Sequence, residues 1–92
     1  MLVRVEVTDG RGMQVFDGPL WLLPLREDVL ARKCMELYGK AELCAIRHAA
    51  VKRLLHMEIS DRLSGCDGAC VDPVSTMLTF DGASPYRYRI YG

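Results

Sequence analysis

No stretch of this sequence is apolar over the length a membrane span needs, and no continuous apolar run follows a basic start. Met1-Leu2-Val3-Arg4-Val5-Glu6-Val7 alternates apolar and charged residues instead. The expectation is a cytoplasmic protein with no membrane contact, in a compartment that keeps thiols reduced. Net charge is also missing, since 12 Lys and Arg balance 12 Asp and Glu. Such a chain lacks the broad positive field that drives non-specific binding to phosphate backbones, though a local patch can exist within a neutral total. Absent too are a glycine-rich phosphate loop, a nucleophile elbow and paired acidic residues at a strand end. A chain of 92 residues has room for one domain with one core, and little volume for a deep substrate pocket. These absences point away from an enzyme.

What is present reads as a globular domain, with 50% apolar and 26% charged residues. Val3, Val5 and Val7 alternate with Arg4, Glu6 and Thr8, the pattern of a half-buried strand over residues 2–8. Asp9-Gly10-Arg11-Gly12 is a turn signal, and Met13 to Phe16 reads as the returning strand, closed by Asp17-Gly18-Pro19. Leu20-Trp21-Leu22-Leu23-Pro24-Leu25 holds a proline, so it reads as an extended connection over the core or a short strand. Glu27 and Asp28 suit the first turn of a helix, Val29, Leu30, Cys34, Leu37 and Tyr38 recur at helical spacing, and Gly39 suits its end. A second helix is expected over residues 41–53, its apolar stripe formed by Leu43, Ile46, Ala50 and Leu54 with Cys44 and Val51 at one margin. Leu55, Met57 and Ile59 then alternate with His56, Glu58 and Ser60, which predicts a strand over residues 54–60. Residues 61–73 read as a loop. Val74, Thr76, Leu78 and Phe80 predict a strand over 74–80, joined through Asp81-Gly82 to a last strand over 86–91. The expected order is β-β-α-α-β-β-β, an α+β domain whose antiparallel or mixed sheet carries two helices on one face.

Three residue sets invite a functional reading. Cys44 and His48 stand four apart on the expected second helix, and Cys66 and Cys70 stand four apart in a glycine-rich loop. Two such pairs could close a tetrahedral zinc site. The spacing is not that of a standard finger or ribbon, and cysteine often serves as a small buried hydrophobe, so packing and loop thiols are the favoured reading. On the last strand, Arg87, Arg89 and Tyr91 share one face while Tyr86, Tyr88 and Ile90 share the other. Guanidinium groups with an interleaved ring suit a protein interface, or single-stranded nucleic acid with help from Arg47, His48, Lys52 and Arg53. Trp21, the only tryptophan, joins this contact set as a neighbour or a separate anchor, while the favoured reading for the residue itself is that it and its leucines cover the open side of the sheet. The resulting expectation is a small non-catalytic protein that binds a protein partner as adaptor, inhibitor or regulatory subunit. A nucleic-acid-binding module is the alternative, a zinc-stabilised module the third reading, and self-association is compatible with all of them.

Overall fold

The computed structural model describes residues 3–40, 45–64 and 72–92, with Ala45 and Ile46 as backbone only. It is an α+β fold: a three-stranded antiparallel sheet with two helices. β1 (Arg4–Thr8) and β2 (Gln14–Pro19) form the expected hairpin. Its turn is organised by Asp9, whose Oδ1 accepts the N–H groups of Arg11 and Met13, each at 2.9 Å. Gly12 supplies the positive φ of 84° that the turn requires. The register steps from Val7 opposite Phe16 to Thr8 opposite Gln14, so Val15 is an extra residue in β2. This bulge turns two consecutive side chains, Val15 and Phe16, onto the core. β2 runs on to Pro19, which an edge strand tolerates.

β3 (Arg87–Tyr91) pairs antiparallel with the other edge of β1, giving the order β2-β1-β3. The expected hairpin between residues 74–80 and 86–91 does not form. Residues 75–77 are a turn of 3₁₀ helix, and the only strand-like pairing of 74–80 is a single bridge from Leu78 to Leu25. The buried side chains explain why: Val74, Met77 and Leu78 follow spacings of three and four, while Thr76 is exposed. Asp72 starts this turn, its Oδ1 accepting the N–H groups of Val74 at 3.1 Å and Ser75 at 3.0 Å. Its Oδ2 accepts the Tyr86 N–H at 3.2 Å and the Tyr88 hydroxyl at 3.1 Å, fixing the approach to β3.

α1 (Glu27–Tyr38) matches its sequence signals. Leu30 and Cys34 are buried, and Gly39, at φ 70°, donates its N–H to the Met35 carbonyl at 2.9 Å. Leu37 and Tyr38 remain exposed. The Arg47 guanidinium lies 5.2 Å from the centre of the Tyr38 ring.

α2 (Ala45–Ser64) overturns the strand expected at 54–60 and shortens the expected loop. Its buried line is Val51, Leu55, Ile59 and Leu63, a step of four residues each time, and Leu54 points outward. Each such step advances about 40° around the axis, so the line winds about the helix. Glu58 therefore falls at the edge of that line, where it pairs with Arg62 at 2.7 Å rather than facing the core. The core closes between Val5 and Val7 of β1 and these helical side chains, with Leu23, Val74, Met77 and Leu78 completing it.

This register yields a stability test. Ile59→Ala should cost about 2–5 kcal/mol in urea unfolding, because it opens a cavity in a packed core. Met57→Ala should stay within about 0.5 kcal/mol, because Met57 is on the outer face of α2. Equal costs at both positions would restore the two-residue period of a strand.

Candidate functional site

The segment Leu20–Arg26 straps the sheet to the helices. It leaves β2 with the Leu20 N–H donating to the Val3 carbonyl at 2.8 Å, then makes one 3₁₀ turn over Leu20–Leu22. Three residues complete such a turn, so positions three apart share a face. Leu20 and Leu23 are that pair, and both pack on the core. Trp21 and Leu22 are left facing outward, 46% and 62% exposed. The sequence alternatives for Trp21 are thus divided within one segment: Leu20 and Leu23 cover the core and the indole does not.

Trp21 stands as a ridge between two grooves. The first, about 470 Å³, is lined by Leu20, Trp21, Ala49 and Met57 together with Lys52, Arg53, His56 and Ser60. The second, about 280 Å³, runs along the strap from Trp21 to Leu25 and also meets Glu27, Leu30, His48 and Lys52. Met57 is 58% exposed, so Trp21, Leu22 and Met57 give the surface a largely apolar centre. Lys52 borders both grooves, and no carboxylate of the described residues lines the first. Among the described residues, neither Lys52 nor Arg53 takes part in an ion pair.

His56 holds this arrangement in place. Its ring is buried, and Nε2 lies 3.1 Å from the Leu23 carbonyl oxygen. A carbonyl only accepts, so Nε2 carries the proton of the neutral ring. Burial keeps the imidazole below its ordinary pKa of 6.5. The Leu23 bond opposes that shift, and the Lys52 charge reinforces it. Sequence reading placed His56 on a strand and missed this role. A helical register with Leu55 and Ile59 buried would have put His56 beside them.

The last strand does align Arg87, Arg89 and Tyr91 on one face, as its alternation requires. That face is the outer side of the sheet, away from the helices, so Trp21 is not their neighbour. Much of its charge is internally matched. Arg4 grips Asp17 through Nε at 2.7 Å and Nη2 at 2.9 Å, reaches Glu6 at 2.9 Å, and lies 5.0 Å from the Tyr91 ring centre. Arg89 stands directly opposite Glu6 in the register. Of the four residues considered for zinc, Cys44, Cys66 and Cys70 lie outside the described residues, and His48 borders the second groove. Cys34 is fully buried in the core. No described helix is long and apolar enough to cross a membrane.

No protein-family model, curated protein or solved structure matches this chain.

A pH dependence follows from His56. Its folded pKa is lowered, so the unfolded chain binds the proton first as pH falls. Stability should be level above about pH 6.5 and decline below it toward the lower folded value. Urea midpoints measured across this range should show the decline, and His56→Gln, which keeps an N–H donor without titrating there, should flatten it. A separate loss should begin below the ordinary carboxylate value of 3.8. The Asp9 carboxyl is held lower chiefly by the Met13 N–H, and that of Asp17 chiefly by the Arg4 guanidinium.

Proposed function

We propose that this chain is a non-catalytic protein-binding domain of the cytoplasm, acting as an adaptor, inhibitor or regulatory subunit through the Trp21 ridge. The observation that carries this reading is the outward placement of Trp21 beside Met57 at a groove already formed in the fold, with Leu22 exposed next to it on the strap. A tryptophan on a rigid turn offers a large contact area with few rotatable bonds to immobilise, and tryptophan is among the residue types enriched at interface hot spots. The outer sheet face gives less support to nucleic-acid binding, because Arg4 is ion-paired with Asp17 and Glu6, and Arg89 stands opposite Glu6 in the register.

Site-specific crosslinking tests the reading. A photo-crosslinking amino acid at Leu22 should capture a discrete protein in the cells of origin, and the same probe at Arg87 should not. Nuclease treatment should leave the product unchanged. Trp21→Ala should weaken the captured complex by about 2 kcal/mol or more, with little change in melting temperature. Capture from Arg87 alone, or a product lost with nuclease, would overturn the assignment.

A further inference from the structure

The first groove has a composition that selects its occupant. Its floor and walls are apolar through Leu20, Trp21, Ala49 and Met57. Its charged groups are Lys52 and Arg53, one helical step apart along the side of α2, and the described acidic residues that form ion pairs do so elsewhere. Binding an apolar group here covers Trp21 and Met57, but it also draws solvent away from two cations. That cost is recovered only if the occupant brings anionic groups. We infer that the groove takes a short acidic segment of a partner protein, with an apolar side chain seated against Trp21 and flanking carboxylates on Lys52 and Arg53. The inference rests on the protein-binding reading of the Trp21 ridge and specifies its partner.

Phosphate-rich ligands fit the site less well. Tracking a nucleic-acid backbone calls for a longer run of cations than two, and Glu27 borders the adjoining groove. A carboxylate on a flexible segment meets one ammonium or guanidinium at a time while its apolar neighbour fills the groove. The interaction should weaken as salt rises, since Arg53 is exposed and Lys52 only partly covered.

Selection from a displayed library of short random peptides tests this on the full chain, with Trp21 emission as the reading, because it is the only tryptophan. Enriched peptides should combine an aromatic or aliphatic residue with flanking Asp or Glu, and should shift the emission to shorter wavelength. Lys52→Glu with Arg53→Glu should weaken them about tenfold or more, and Lys substitutions in the peptide should restore binding to that variant. Lys52→Gln with Arg53→Gln, which adds no repulsion, should give a smaller loss with unchanged circular dichroism. Enriched peptides without acidic residues, or binding indifferent to both double variants, would overturn the acidic assignment while leaving the Trp21 surface in place. Peptides that bind Trp21→Ala undiminished would overturn the surface itself. A library that yields no binder, or an emission shift produced instead by vesicles of anionic phospholipid, would remove the short protein segment as the occupant.

Discussion

The fold turns on how the strap between β2 and α1 spends its two inward positions. Leu23 is almost fully buried by its side chain, and its carbonyl is held by His56. Beyond it, the Thr79 N–H donates to the Pro24 carbonyl at 3.0 Å and the Arg26 N–H donates to the Met77 carbonyl at 2.9 Å. These bonds tie the strap to the C-terminal third of the chain as well as to α2. Rotating it to bury Trp21 would turn Leu23 outward. Burying one large apolar side chain in place of another changes little, since each contributes about 1.5–3 kcal/mol. The rotation would also leave the buried His56 ring without its acceptor, at a cost of about 1–3 kcal/mol. Keeping the indole outside is therefore the lower-energy arrangement of this segment.

Where one period dominates, the sequence is legible. The alternation of Val3, Val5 and Val7 marks β1, and the carboxylates before Val29 and the glycine after Tyr38 mark α1. Reading fails where two periods coincide. Leu55, Met57 and Ile59 fit a period of two, but Val51, Leu55, Ile59 and Leu63 fit a step of four over a longer stretch. The longer pattern prevails because every member of it reaches the core. Residues 74–80 fail in the same way, and there Asp72 is the overlooked signal, an acceptor for the Val74 and Ser75 N–H groups just ahead of the 3₁₀ turn. The candidate site was legible in part. Trp21, Lys52 and Arg53 stand out by type, whereas Met57 and His56 were assigned to a strand, and no local pattern announces a groove between segments thirty residues apart.

Two carboxylates do for the loops what periodicity does for the regular elements. Asp9 closes the first hairpin, and Gly10 beside it donates its N–H to the Ala83 carbonyl. A side chain at Gly82 would meet Asp9 within 2.9 Å, so the 81–85 loop can approach the turn only with glycine there. The Tyr86 hydroxyl then donates to the Gly82 carbonyl at 2.9 Å, and the Phe80 ring packs between Phe16 and Tyr86. Asp72 completes the return by holding Tyr86 and Tyr88. β3 thereby reaches the free edge of β1 although it has no hairpin partner of its own.

The balance of charge in the whole sequence conceals an uneven distribution of pairing. Glu6 and Asp17 serve Arg4 on the sheet, Asp28 serves Arg26, Glu36 serves Lys33, and Glu58 serves Arg62. Each of these carboxylates has a neighbour of opposite sign close in sequence or across a strand pair. Among the described residues Lys52 and Arg53 have no such neighbour: the residues one turn before them on α2 are His48 and Ala49, and one turn after them come His56 and Met57. Extending α2 through residues 54–60 is what aligns those side chains along one groove. Had that segment been a strand, Lys52 and Arg53 would end a helix in solvent, and Met57 and His56 would not stand beside Trp21. The same helical register that builds the core therefore also places two cations beside an apolar ridge.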